Sequence, residues 1–359
     1  MALLKSLPCA LLVAVLAAVQ VGAHGIATAI VVFPTGTFYQ GYNPSYQWSR
    51  PPPTVVGWST PDDLQNTFVS PTAYASPDIV CHLGATPAGA AAPVNAGDVI
   101  EIQWTPWPAS HKGPVIDYLA NCNGPCQNVD KTKLKFFKID EVGLVDAASG
   151  TFGASQLTNN NNSWLVRIPT DIAPGNYVLR HEIIALHAAG QTNGAQNYPF
   201  CFSLAISGSG TANPAGIPAT QFYAANNPGI KFDLFSKFTS YQIPGVSSFL
   251  SLRVAFSPKV SETGLDWVWL ADSETFACLQ PPLYSGALSV AQSKAGPIKA
   301  TASGVAGLAN KNVALRPTSP AAKVVAAAPS PATTVAAKYA AAQTLVKKVS
   351  KRTDAPRGA

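Results

Sequence analysis

The chain has 359 residues, of which only 12% are charged, with 27 Gly and 31 Pro. That profile excludes a coiled coil or a helix-dominated cytosolic enzyme and suits a loop-rich β protein of the extracellular kind. The net charge of +6 is unevenly spread, with 10 Lys/Arg against 13 Asp/Glu over residues 24–250 and 13 against 5 over 251–359. An acidic body followed by a basic tail reads as two regions, and the body offers no surface for a nucleic acid.

Residues 1–23 read as a secretory signal. Lys5 supplies the positive start, Leu11 to Val21 are almost wholly apolar, and Val21-Gly22-Ala23 offers small residues for cleavage. The apolar run is too short to span a bilayer, so no membrane anchor is expected. Cleavage after Ala23 frees the α-amino group of His24. An N-terminal histidine carries two nitrogens, the amine and imidazole Nδ1, that can chelate one metal ion.

Short apolar runs then alternate with turn-rich loops. Gly25–Phe33, Asp98–Trp104, Leu134–Ile139, Ser163–Ile168, Asn176–His187 and Tyr198–Ile206 are β-branched or aromatic and mostly bounded by Pro, Gly or Asn, which predicts strands. Several strands with few helical periods predict an all-β protein, an antiparallel β-sandwich with long surface loops. Between the first two strands lies a Pro-, Tyr- and Trp-rich segment too long for a simple connection, and such loops are often functional. Asn161-Asn162-Ser163 is an N-glycosylation acceptor, with Asn161 the modified residue.

Outside the signal the cysteines are Cys81, Cys122, Cys126, Cys201 and Cys278. Secretion favours disulfides. Cys122 and Cys126 enclose a tight Asn-Gly-Pro turn, which leaves Cys81 and Cys201 as a long-range pair and Cys278 odd. A zinc site on Cys122 and Cys126 is the alternative, but it lacks a second ligand pair at zinc spacing. The domain reading is a signal over 1–23, a catalytic body over 24–250, an unassigned segment over 251–282, and a disordered basic tail over 283–359 in which Ala, Val, Ser, Thr, Pro and Lys dominate.

All five histidines lie between 24 and 187. His111 sits in Trp104-Thr-Pro-Trp-Pro-Ala-Ser-His-Lys-Gly-Pro114, a loop following a strand. With His24 it makes a set of two imidazoles and one amine, which favours copper over zinc or magnesium. In His187-x8-Gln196-x-Tyr198 the strand pair can bring all three side chains together. Tyr198 can then occupy the axial direction of a metal, and His187 and Gln196 are suited to hydrogen-bonding an oxygen species; the alternative is a core histidine at 187 and a core aromatic at 198.

The N-terminal His24, the run 107–114 and the His187/Gln196/Tyr198 motif resemble the fungal lytic polysaccharide monooxygenases of auxiliary-activity family nine, formerly glycoside hydrolase family sixty-one. Asp117–Ala120, Arg180–His187 and the ending Tyr241–Gly245 are similar too. The resemblance covers about 24–248. It implies an immunoglobulin-like sandwich with a flat face, one copper ion held by His24, His111 and Tyr198, and oxygen handling by His187 and Gln196. It also implies Cys81–Cys201 and Cys122–Cys126 bridges. The implied reaction is oxidative cleavage of cellulose or a related β-1,4-glucan at C1 or C4, with O2 or H2O2 and an external electron donor, a small reductant or a cellobiose dehydrogenase-like protein. The protein is then a secreted monomer.

A crystalline chain cannot enter a deep pocket, so aromatic rings on the face must bind it. Tyr241 is the first choice, then Tyr42 and Tyr46, with Tyr39 and Trp48 of the same loop. A hydrolase needs two carboxylates about 5–9.5 Å apart across a sugar. No motif sets two such residues as a pair, and Glu182, beside His181, reads as a structural contact. A non-catalytic copper-binding protein has no use for His187 and Gln196.

Overall fold

The computed structural model describes residues 24–244, 256–261, 264–269 and 281–292. The first strands are β1 (Ala27–Phe33), β2 (Thr37–Gln40), β3 (Ala92–Asn95), β4 (Val99–Trp104), β5 (Val115–Asn121) and β6 (Phe137–Val142). A small hairpin, β7 (Leu144–Asp146) and β8 (Thr151–Phe152), precedes β9 (Ser163–Arg167), β10 (Gly175–Ala185) and β11 (Gln196–Ser207). One sheet has the order β2-β1-β4-β9 and the other β3-β11-β10-β5-β6. The fold is the expected β-sandwich, with one parallel pair, β11 against β3, at Leu204↔Ala92. Pro93 is tolerated there because β3 is an edge strand.

The space between the sheets is filled by Ile30, Ile100, Ile102, Trp164 and Val166 from one side and Leu119, Leu179, Phe202 and Leu204 from the other. Each buried side chain of this size contributes about 1.5–3 kcal/mol. The outer face of the five-stranded sheet is also covered. Tyr118, Val178 and Ile184 pack there against Trp58, Ile79 and Phe222. Burial on both faces leaves β10 buried from Tyr177 to Ala185, the polar Arg180, His181 and Glu182 included. Trp58 and Ile79 belong to the long loop of the sequence, tied down by Cys81–Cys201, and Phe222 to the segment after β11, while Cys122–Cys126 closes the turn after β5.

The buried polar groups of β10 have structural partners. Arg180 Nη1 and Nη2 donate to Glu182 at 2.6 and 3.0 Å, and Arg180 also donates to the carbonyls of Ile79 and Val80. Glu182 is therefore occupied by Arg180, in keeping with a structural contact. His181 Nδ1 meets Asp117 at 2.7 Å, and its Nε2 accepts from Trp104 Nε1 at 3.0 Å.

The expected start of the tail needs correction. Residues 281–292 lie along the body instead of beginning a free tail. Tyr284 donates its N–H to Lys138 O at 2.8 Å and its hydroxyl to Asp171 at 2.8 Å. The Gln292 amide donates to Leu165 O at 2.8 Å and accepts from Leu165 N–H at 2.9 Å, pairing the open edge of β9 as a strand would. Within 251–282 the backbone forms a hairpin, Phe256–Ser261 against Gly264–Trp269. The signal 1–23, Cys278 and residues 293–359 lie outside the described residues.

Candidate metal centre

Two turns and one strand end build the site. Gly25 and Ile26 lead from His24 into β1, and Ile26 N–H donates to Thr105 Oγ1 at 3.0 Å. His111 sits in the turn after β4. Its N–H donates to Pro108 O, and its carbonyl accepts from Trp107 Nε1 at 3.0 Å. Trp107 N–H is held in turn by Asn162 Oδ1 at 2.8 Å. Gly113 follows at φ 159°, where a Cβ would lie 1.8 Å from the Ile184 carbonyl, so only glycine lets the turn press against β10.

The structure brings the predicted residues together. The rings of His24 and His111 lie 5.3 Å apart between centroids at 67°, and His24 and Tyr198 lie 5.6 Å apart. His187 stacks on His111 at 3.8 Å. The Tyr198 hydroxyl donates to Gln196 Oε1 at 2.8 Å. That bond fixes the amide of Gln196 and leaves its NH2 as the free donor.

Electrostatically the site holds neutral imidazoles. Burial pushes His111 down to about 4, with His187 and His24 adding to the effect. Burial also lowers His187, helped by His24, and lowers His24, which the Gln196 side chain partly offsets. Tyr198 is raised by burial, so its phenol stays protonated.

Two buried nitrogens, His111 Nε2 and His187 Nδ1, have no hydrogen-bond partner. An orphaned imidazole nitrogen is costly unless something binds it. His111 Nδ1 already faces Ser110 Oγ at 3.1 Å, which leaves Nε2 as the free ligand atom. Among the described residues no three His, Cys, Asp or Glu side chains form a ready metal cluster. This does not conflict with a metal at His24 and His111, because the third nitrogen is the α-amine of His24, which exists only in a chain that begins there. The residues present therefore fit a copper ion.

Tyr241 is half-buried. It packs against Phe232 and Phe152 at 5.0 and 5.3 Å, and its hydroxyl donates to Gly229 O at 2.7 Å. Tyr42 and Tyr46 meet edge to face at 5.8 Å and are half-buried. Among the described residues the large exposed rings are Trp48, at 68%, and Phe235, at 83%. The sequence reading missed Phe68, which packs on His24 at 6.0 Å and Tyr198 at 6.2 Å. It lies in the aperiodic loop, where only the density of aromatics hints at a role. Asn161 sits in the left-handed region at φ 59°, in the turn before β9.

The model of auxiliary activity family 9, formerly GH61, matches residues 24–241. The lytic polysaccharide monooxygenase I of this family from Botryotinia fuckeliana is 53% identical over 288 residues, covering 79% of this chain and 93% of that protein. The family's cel61A monooxygenase of Hypocrea jecorina is 53% identical over 66% of this chain and 68% of its own. The extended catalytic domain of H. jecorina LPMO9A superposes with a TM-score of 0.59 at 51% identity, covering 66% of this chain and 96% of that one. The chain belongs to auxiliary activity family 9, the lytic polysaccharide monooxygenases, copper-dependent oxidoreductases that cleave polysaccharides oxidatively.

Proposed function

We propose that this protein, secreted and cut before His24, cleaves cellulose or a related β-1,4-glucan with one copper ion, an external reductant and O2 or H2O2. The observation that carries the reading is the convergence of His24, His111, His187, Gln196 and Tyr198, with His111 Nε2 buried and unpartnered. The family match begins at His24, which supports that residue as the first of the mature chain.

In this reading the His24 amine and Nδ1, His111 Nε2 and the Tyr198 phenol hold the copper. Bound there, copper supplies the one-electron chemistry that lets O2 or H2O2 oxidise a sugar C–H bond at C1 or C4. The remaining work belongs to the protein. Burial keeps the His24 and His111 imidazoles neutral, as ligands must be. The Gln196 NH2 and His187 offer hydrogen bonds at the exposed side, where they orient the oxygen co-substrate. The high proton affinity of Tyr198 keeps its phenol a weak, neutral neighbour instead of a phenolate.

Asn161 carries a glycan in this reading. The body acts as a monomer on an extended substrate. The test is mass spectrometry of products from amorphous cellulose, using copper-loaded protein beginning at His24, with and without ascorbate. Oxidised oligosaccharides that require ascorbate establish the reading and give the C1 or C4 position. Copper binding without oxidised products moves the substrate to another polysaccharide. Native oligosaccharides released without ascorbate overturn it in favour of hydrolysis.

A further inference from the structure

We propose that Asn197 is a positioning residue that grips the start of β11 from behind and so sets where Gln196 and Tyr198 stand; the inference rests on the metal-site reading above. Successive side chains of a strand face opposite sides. Gln196 and Tyr198 point toward His24, so Asn197 points to the outer face of the sheet, where it is fully buried. There its Oδ1 accepts from the Tyr74 hydroxyl at 2.7 Å and its Nδ2 donates to Glu182 Oε1 at 2.9 Å. Its backbone N–H and C=O both pair with Val69, at 3.1 and 2.9 Å.

Asn197 is thereby fixed to two separate parts of the chain. Glu182 belongs to β10 and is itself clamped by Arg180 and the Tyr223 hydroxyl. Val69 and Tyr74 belong to the long loop, whose Phe68 packs on His24 and Tyr198. The position lies at the start of β11, just after the turn from His187, where it stands opposite Ile184 of β10 on one side and Val69 on the other. A slip of one residue would turn Gln196 and Tyr198 to the wrong face. An apolar residue would fill this buried place at lower desolvation cost, but it would not distinguish one register from the next. A buried asparagine with three named partners does.

The test uses two variants, Asn197→Leu and the milder Tyr74→Phe, which keeps the ring. Leu204→Ala, farther along the same buried strand, is the control for plain destabilisation. In metal-free protein, the side-chain amide resonances of Gln196 and the ring resonances of Tyr198 should move in both variants and stay in place in the control. With copper added, the Cu(II) paramagnetic resonance parameters should change, and the copper dissociation constant should rise about tenfold, the lower end of what outer residues of metal sites cost. Unmoved resonances and unchanged Cu(II) spectra, with a melting temperature lowered as in the control, overturn the proposal and leave Asn197 merely structural. If wild-type protein gives no bound Cu(II) spectrum, the metal-site reading fails, and the Gln196 and Tyr198 resonances still decide the role of Asn197.

Discussion

His187 stacks its imidazole on that of His111, 3.8 Å between centroids and 30° between planes, with His187 Nδ1 and His111 Nε2 both buried and unpartnered. Two imidazoles in this contact cannot both carry a proton without strong repulsion, and the effect on His111 is a lowered pKa. In the proposed function, the neutral pair would present one nitrogen to a metal and keep the other ring beside it for the oxygen co-substrate.

Replacing His187 with alanine should leave copper binding within a few-fold of wild type while oxidised product falls by about 10²-fold, the usual weight of a positioned proton or hydrogen-bond donor. Calorimetric titration of copper and product analysis on one preparation check this. A parallel loss of both would make His187 a structural support for His111.

Arg180 and Glu182 are both fully buried and joined by two hydrogen bonds. Arg180→Ala removes one partner and leaves an uncompensated carboxylate, which costs about 3–5 kcal/mol. That is a large share of the stability of any domain. The variant should be recovered mostly insoluble or with a melting temperature far below wild type, as thermal unfolding will show. Unchanged melting would mean that the buried pair contributes little.

Much of this architecture is legible in the sequence. β1, β4, β9, β10 and β11 announce themselves as β-branched or aromatic runs, and the proposed metal-site residues lie in three separated motifs. β5 does not, because Asp117 interrupts its pattern. Only in the folded protein does that carboxylate find His181 Nδ1 and Trp164 Nε1, at 2.7 and 2.9 Å. Position along the chain also does not reveal how much of a loop ring is covered: Tyr241 is half-buried, with Phe232 and Phe152 against it. Residues 281–292 have a linker's composition, yet Gln292 finds the free edge of β9. That contact is made by a single side-chain amide, which composition cannot reveal.

Of the aromatic residues proposed to bind a glucan surface, Trp48 has the most free ring area, whereas Tyr46 is partly covered by Tyr42. Trp48→Ala should weaken binding to microcrystalline cellulose several-fold, since stacking of an exposed ring is worth about 0.5–1.5 kcal/mol. Tyr46→Ala should weaken it less. Depletion assays on cellulose compare the two, and equal binding by Trp48→Ala and wild type would remove Trp48 from the substrate face.

Behind Tyr198 lies a second pair of titratable groups, Asp63 and His82, both fully buried. Their closest approach, 3.9 Å, is short enough to suggest an ion pair but too long for a hydrogen bond. Burial decides against the ion pair, pushing Asp63 up to about 7 and His82 down to about 3. At pH 5 both are uncharged in the folded protein, whereas in the unfolded chain both are charged. Their effects on stability oppose each other. Between about pH 4 and 6.5 the unfolded chain holds a proton on His82 that the folded state lacks, so this term lowers stability as pH falls. Over the same range folded Asp63 holds a proton that the unfolded chain lacks, so this term raises stability as pH falls. In wild type the two nearly cancel. Asp63→Asn leaves His82 alone, and metal-free protein should then lose stability on acidification from pH 6.5 to 4 at a slope approaching 1.4 kcal/mol per pH unit beyond wild type. Denaturant unfolding at half-unit pH steps measures the slope. Parallel curves for the variant and wild type would show that His82 keeps its proton in the folded variant, against the effect of burial.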